Sequence, residues 1–242
     1  MGLLKSLRQR KQGAHLTCAA VVPAAGQSTR MGEDKVLLPL RGVPLLLHTL
    51  WALEGCPYIT EIIVVTREEL IVPVGELCRD AVIQKVRKVV LGGRSRTESV
   101  LAGLREVDPA AELVAIHDGA RPLVTREILD SVIEEAARWG AAAPAVPVKD
   151  TIKRAVGGVV ENTPERTELF AVQTPQVFEH GLILGALEKA AVDGAELTDD
   201  CAAVERLGVP VHLSTGSYEN LKITTPEDVM VAEMILERRE GG

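Results

Sequence analysis

The sequence predicts an α/β fold, with a mostly parallel sheet, helices on both faces and an inserted β-hairpin arm. Two observations carry this reading. Short apolar or β-branched runs alternate with amphipathic segments over residues 18–148, the pattern of βαβ crossovers. At about residue 149 the alternation stops. There Gly157-Gly158 stands between residues 151–156 (TIKRAV) and 159–163 (VVENT), a two-residue hairpin signal.

Taken in order, residues 18–22 (CAAVV) read as a strand running into Pro23. Residues 44–53 (PLLLHTLWAL) read as a helix, with Pro44 in its first turn and Gly55 just past its end. Residues 59–66 (ITEIIVVT) are a β-branched buried strand, 73–84 a helix, 87–91 (RKVVL) a strand, 97–106 (TESVLAGLRE) a helix and 113–117 (LVAIH) a strand. Thr125 caps a helix reaching Trp139, with Ile128, Leu129, Val132, Ile133 and Ala136 on one face and Gly140 at its end. Residues 141–148 form a further strand. Beyond the arm, at about 149–172, come a helix at 181–191, another after Thr198, and strands near 211–214 and at 221–224 (LKIT). The last helix begins at Thr225-Pro226-Glu227-Asp228, with an N-cap, a proline at the first helical position and two acids in the first turn. A hairpin cannot easily bury both faces alone, so the arm is expected to pack on a second copy of the chain. A flap folded on its own domain is the alternative. Residues 18–238 are expected to form one domain, preceded by a basic, solvated extension over residues 1–17.

Composition then excludes function classes. With 46% hydrophobic and 25% charged residues the chain has a globular composition. No run reaches the roughly 18–20 apolar residues of a membrane span. Residues 1–17 (MGLLKSLRQRKQGAHLT) lack the apolar stretch and cleavage site of a secretory signal, so a cytoplasmic protein is expected. Cys18, Cys56, Cys78 and Cys201 are scattered with no CxxC pair, which argues against zinc, disulfide and redox roles together. The net charge is −7 and the basic residues of the first segment leave the body more acidic still; only 2% of residues are aromatic. Both features disfavour nucleic-acid binding. A phosphate ligand must therefore be held by a local basic pocket.

The most informative segment is 21–38, VVPAAGQSTRMGEDKVLL. A buried strand ends in a small-residue turn and a polar loop, and ligands of open α/β sheets bind beyond such carboxyl ends. Ala24, Ala25 and Gly26 leave backbone N–H groups uncovered, while Arg30 and Lys35 add cations suited to phosphate. It is not a P-loop: five residues, not four, separate Gly26 from Gly32, and Glu33 follows. Asp118, after a strand and before Gly119-Ala120, stands where a carboxylate commonly holds Mg²⁺; capping the turn or pairing with Arg121 is the alternative. Residues 92–99 (GGRSRTES) make a glycine turn into a helix, with hydroxyls suited to capping. The five histidines show no metal spacing. His117 reads as structural, because successive strand side chains point to opposite faces and it cannot share that of Asp118.

Residues 21–38 resemble the signature loop of nucleotidyltransferases with a glycosyltransferase-A-like, Rossmann-like fold. Within that superfamily the segments HDGARP (117–122), PVKDTIK (147–153), QTPQVF (173–178), LTDD (197–200) and ENLKIT (219–224) resemble, in order, the 2-C-methyl-D-erythritol 4-phosphate cytidylyltransferases of the non-mevalonate isoprenoid pathway. The resemblance implies transfer of CMP from CTP to methylerythritol phosphate. It implies Arg30, Lys35 and Lys222 as catalytic cations, Pro23–Gly26, Gly93, Ser99 and Asp118 as nucleotide contacts, and Asp118 as the Mg²⁺ ligand. It further implies Arg121, Thr151, Arg166, Thr174 and Lys222 as acceptor contacts, with Arg166 on the arm reaching the neighbouring protomer's site in a homodimer. Arg96 is a weaker candidate, Glu219 a possible second metal carboxylate, and Thr198 either an N-cap or a ligand. Ribitol-5-phosphate cytidylyltransferases share the loop, the Asp and QTPQ. The Lys149-Asp150-Thr151 stretch and residues 164–171 (PERTELFA) favour methylerythritol phosphate. A hexose-1-phosphate nucleotidyltransferase would need a longer chain. From a different class, a non-catalytic nucleotide-binding module would not demand all four of Arg30, Lys35, Asp118 and Lys222.

Overall fold

The computed structural model describes residues 16–26 and 37–241. Arg30 and Lys35, and all but the last two residues of the basic extension, lie outside the described residues. The chain opens with β1 (Cys18–Pro23), then a two-residue pair β2 (Pro39–Leu40) and β3 (Val43–Pro44), helix α1 (Leu45–Glu54) and β4 (Ile59–Thr66). A 3₁₀ turn at Glu68–Leu70 leads to α2 (Ile71–Asp80), followed by β5 (Val86–Leu91), α3 (Arg96–Leu104), β6 (Leu113–Ile116), α4 (Arg126–Trp139) and β7 (Ala141–Pro147). The hairpin is β8 (Arg154–Val156) and β9 (Val159–Asn162), turned at Gly157 and Gly158 with φ of +56° and +81°. Two positive φ values in succession make the type I′ turn that glycine alone adopts without strain. A 3₁₀ turn at Arg166–Glu168, β10 (Phe170–Val172), β11 (Gln176–Glu179), α5 (His180–Val192), α6 (Asp200–Glu205), β12 (His212–Thr215) and α7 (Pro226–Glu240) complete the order.

The main sheet has eight strands. β5, β4, β1 and β6 run parallel as neighbours; β11 is antiparallel to both β6 and β7; β10 and β12 also pair with β7. The expected α/β class is therefore met, but the sheet is mixed on the β7 side. The antiparallel strands β10 and β11 were not anticipated, because residues 170–179 carry a Thr-Pro in their middle and no alternating pattern. Residues 221–224, expected as a strand, are irregular. Among the described residues their backbone runs beside the loop after β6, which itself leaves strand geometry. The single backbone bond there, Ile223 N to Ala120 O at 2.9 Å, does not extend into a ladder.

Both faces of β1 are buried, which is why it reads as continuously apolar. Cys18, Ala20 and Val22 pack with α1 and α4 on one side; Ala19 and Val21 pack with α3 and α5 on the other. The α3 helix approaches β1 and β4 closely because Gly103 faces them. A Cβ there would lie 2.6 Å from Val21 Cγ1 and 2.7 Å from Val65 Cγ2. A third, smaller cluster joins Leu40, Leu45, Ala120, Leu123, Ile223 and Ala232. It clamps residues 221–223 and α7 onto the loop after β6. The α4 helix ends at Gly140 in the left-handed region (φ +86°), and α7 begins at the expected Thr225-Pro226, closed by a capping box of Thr225 and Asp228. Among the described residues no helix is long and apolar enough to cross a membrane.

The packing at Gly103 generates a stability prediction. Gly103→Ala gains up to about 1 kcal/mol of helix propensity, but overpacking two valines costs about 1–3 kcal/mol. A net loss near 1 kcal/mol, read as a lower Tm in thermal unfolding, is expected; an unchanged or higher Tm would contradict the close approach.

Candidate functional site

At the carboxyl ends of β1, β4, β5 and β6 the structure opens a cleft of about 590 Å³. This is where an open α/β sheet places ligands. Pro23–Gly26 line one side. Gly93, Arg94, Ser95, Arg96 and Ser99 line the opposite wall, and Asp118, Gly119, Ala120 and Lys222 the floor, with Arg67 after β4. Lining cations thus come from Arg67, Arg94, Arg96 and Lys222, while Asp118 is the carboxylate among the lining residues described.

The glycine turn is held by its helix. Ser95 caps α3, accepting from Glu98 N, and Ser99 Oγ donates to Ser95 O at 2.9 Å while accepting from Gly93 N at 3.1 Å. A Cβ on Gly93 would fall 2.2 Å from Glu98 Cβ, so only glycine fits. Ser99 is buried and its hydroxyl is engaged, so it supports the turn that faces the cleft.

Asp118 is almost buried, yet its carboxylate meets three cations. Lys222 Nζ is 2.9 Å from Oδ2, Arg121 Nε 3.5 Å from Oδ2, and Arg96 Nη2 3.8 Å from Oδ1. Burial alone would raise this carboxyl, but Lys222, Arg96 and Arg121 outweigh it and hold it below the usual carboxylate range. Lys222 arrives through the third apolar cluster. The flanking Ile223 is fully buried, a side-chain burial of about 1.5–3 kcal/mol, and its backbone bond to Ala120 O sets Lys222 beside Asp118. Arg121 is fixed from behind by donating Nη1 to Asn220 O at 2.7 Å.

Behind Asp118 runs a buried relay of hydrogen bonds. Asp118 N–H donates to Thr174 Oγ1 at 3.1 Å, Thr174 Oγ1 lies 3.0 Å from His117 Nδ1, and His117 Nε2 lies 3.2 Å from Arg121 O. The carbonyl can only accept, so Nε2 carries the proton, Nδ1 accepts from the Thr174 hydroxyl, and the ring is neutral. Burial pushes the His117 pKa down to about 4. His117 is structural, as its place in the sequence suggested. Thr174, expected as a hydroxyl contact to substrate, is instead buried with its hydroxyl committed to Asp118 N and His117.

Of the remaining candidates, Thr151 and Arg166 are exposed on the arm, where Arg166 Nη1 donates to Lys149 O at 3.2 Å. They do not line the cleft of their own chain. Glu219 does not face Asp118: it pairs with Arg238 and, at 2.9 Å, with Arg239 of α7. Thr198 is not the N-cap of α6, a role taken by Asp199, whose carboxylate accepts from Ala202 N. Arg67, not singled out from the sequence, and Arg94, given no role there, also line the cleft; a charged residue directly after a buried strand was the available signal for Arg67.

Among the described residues no three His, Cys, Asp or Glu side chains cluster as a metal site. The donor set nevertheless fits Mg²⁺, which keeps several waters and is held by one or two carboxylates with substrate phosphates. Asp118 supplies one ionised carboxylate on the cleft floor.

Known proteins resemble this chain over nearly its whole length. The family model for 2-C-methyl-D-erythritol 4-phosphate cytidylyltransferase matches residues 18–238. A protein of that name from Desulforamulus reducens is 50% identical over 230 residues, covering 91% of this chain and 96% of the relative. Another from Halalkalibacterium halodurans is 47% identical over 224 residues, covering 92% of this chain and 98% of the relative. Among solved structures, 4-diphosphocytidyl-2C-methyl-D-erythritol synthase from Anaerococcus prevotii superposes with a TM-score of 0.84 at 30% identity, covering 93% of this chain and 100% of that one.

The neutral, buried His117 predicts a pH effect. Its folded pKa lies below the ordinary value of 6.5, so the unfolded chain binds the extra proton. Its stabilising contribution is complete above pH 6.5 and is lost as pH falls towards 4, by about 3 kcal/mol. Urea midpoints should fall across that window in the wild type and fall less in His117→Asn; parallel curves would exclude His117 as the source.

Proposed function

The chain belongs to the 2-C-methyl-D-erythritol 4-phosphate cytidylyltransferase family, and from that membership we propose how its cleft performs cytidylyl transfer. The reaction passes CMP from CTP to 2-C-methyl-D-erythritol 4-phosphate and releases pyrophosphate, a step of non-mevalonate isoprenoid precursor synthesis. An oxygen of the acceptor's 4-phosphate attacks the α-phosphorus of CTP in line. A phosphate dianion is already nucleophilic near neutral pH, so the protein's task is positioning and positive charge.

The observation that carries this reading is the meeting of Asp118 and Lys222, distant in sequence, at the floor of a cleft walled by a small-residue turn. Pro23, Ala24, Ala25 and Gly26 let the nucleotide approach the backbone closely. Gly93, shaped by Ser99, borders the nucleotide on the opposite wall. Lys222, half-exposed and flexible, moves its ammonium from Asp118 to the phosphate oxygens when substrate enters. Arg30 and Lys35, which follow Gly26 in the sequence, neutralise the triphosphate and the departing pyrophosphate. Arg121 fixes the Asp118 carboxylate, and Thr174 orients it from behind through its backbone N–H. Asp118 would hold Mg²⁺, which supplies charge neutralisation to phosphate oxygens when bound.

The acceptor is held by Thr151 and Arg166 of the arm, contributed across a homodimer. Three features support this. Both residues are absent from their own chain's cleft. Arg166 leans on the arm root through Lys149 O. The hairpin exposes Val156, Val159 and Val160, an apolar strip that a second copy would cover. The buried, unpaired thiols of Cys18, Cys56, Cys78 and Cys201 suit a reducing cytoplasm.

The assignment is tested by Mg²⁺-dependent pyrophosphate release with CTP, UTP and ATP against methylerythritol phosphate, ribitol 5-phosphate and a hexose 1-phosphate. Turnover confined to CTP with methylerythritol phosphate is expected; preference for another pair would overturn it. Lys222→Ala should lower kcat by about 10²–10³, the scale of losing one preorganised charge donor. Arg166→Ala should raise the acceptor KM and leave that for CTP unchanged. Mixing Arg166→Ala with Lys35→Ala protein should restore part of the activity through hybrid dimers; no recovery would refute a shared site.

A further inference from the structure

The three cations around Asp118 are not equivalent. Lys222 is half-exposed, and Arg121 is tied to the Asn220 carbonyl. Arg96 alone is gripped by a second carboxylate. Its Nη1 and Nη2 donate to Asp200 Oδ1 and Oδ2 at 2.8 and 2.6 Å, a bidentate fork in the geometry that carboxylates match best. Asp200 is 1% exposed, and burial raises its pKa against the pull of Arg96. It is itself anchored from the sheet. Gln176 Oε1 of β11 accepts from Asp200 N and Cys201 N, both at 3.0 Å, and Gln176 Nε2 donates to Asp199 Oδ2 at 2.7 Å.

An ion pair of this kind, with Asp200 buried and the Arg96 side chain 35% exposed, is poor stabilisation, since desolvation of the carboxylate offsets much of the attraction. Its effect here is directional. Arg96 lines the cleft between Gly93 and Asp118, and a guanidinium has five N–H donors. Two are committed to Asp200, which leaves others free to face the cleft in a fixed orientation. Without Asp200, the next carboxylate within reach of Arg96 is Asp118, at 3.8 Å. The guanidinium would turn onto it and away from an incoming anion.

We propose that Arg96 is a nucleotide-phosphate contact of this cleft and that Asp200 is its positioning residue, acting through the buried fork. The assignment rests on the reading of the cleft as a CTP site. It extends that site to α6, whose residues do not line the cleft.

The test is a double-mutant cycle on CTP affinity, measured by calorimetry with the full chain, Mg²⁺ and no acceptor, together with KM values in the complete reaction. Arg96→Ala and Asp200→Asn should each weaken CTP binding at least tenfold and raise the CTP KM, leaving the acceptor KM unchanged. The double variant should match Arg96→Ala within about twofold, because Asp200 acts only through Arg96. Arg96→Lys keeps the charge but cannot form the fork, and should recover less than half of the lost binding free energy. Unchanged CTP affinity in Asp200→Asn, effects that sum in the double variant, or full rescue by Arg96→Lys would each overturn the proposal. Should Asp200→Asn fail to fold, the Arg96→Ala and Arg96→Lys pair decides. Wild-type protein that binds no CTP would instead overturn the reading of the cleft, whatever the variants do.

Discussion

A carboxylate withdrawn from water must be compensated, and in this fold the carboxylate is Asp118. Its position follows from β6, a strand buried on both faces whose carboxyl end delivers the next residues to the sheet's rim. An uncompensated charge there would be costly, and the surrounding structure meets that demand from three separate stretches of chain. Arg96 comes from the start of α3, Arg121 from the following turn and Lys222 from the segment before α7. The same compensation leaves the cleft with three cations around two carboxylates, Asp118 and the Asp200 that grips Arg96. Such a cleft is unfavourable when empty and favourable around a polyphosphate.

The apolar core serves this arrangement. Two large clusters, one on each face of the sheet, fix the strand ends relative to one another. The small third cluster is placed differently, joining Ala120 and Leu123 to Ile223 and Ala232. It carries Lys222 to Asp118 although residues 221–224 belong to no sheet. Polar contacts reinforce it. Gln173 Nε2 donates to Ser217 O, and Asn220 Nδ2 donates to Thr174 O, so the QTPQ and ENLKIT segments are stitched together behind the site. Gln176 does the same for the LTDD segment. These segments, which in sequence carry the family resemblance, are thus joined to one another by buried hydrogen bonds behind the cleft.

That distinction marks where sequence reading succeeded. The strand at Ile59–Thr66, the helix ending at Gly140, the I′ hairpin and the capped start of α7 were all legible. In each case the signal is local: period, cap chemistry or a glycine that must adopt positive φ. The strand expected at 221–224 and the unanticipated β10 and β11 lacked such a signal. Their conformation is set by which neighbour lies alongside, and that neighbour is remote in the chain. The same holds for side chains. His117, read as structural from strand alternation, lies just past β6, fully buried with both ring nitrogens hydrogen-bonded. Thr174, Thr198 and Glu219 carried no such signal, because a hydroxyl or carboxylate looks alike in sequence whether it faces a ligand, a helix end or an arginine.

By itself the sequence determined the alternation of strands and helices, the carboxyl-end location of the small-residue turn, and the candidacy of Asp118. These depend on periodicity and residue chemistry, which act over a few positions. Only the tertiary structure decided that Lys222 and Asp118 stand 2.9 Å apart, that Arg96 is forked onto Asp200, and that Thr174 faces inward. Those are outcomes of long-range packing, in which segments far apart along the chain settle where their apolar surface and buried charge are jointly satisfied.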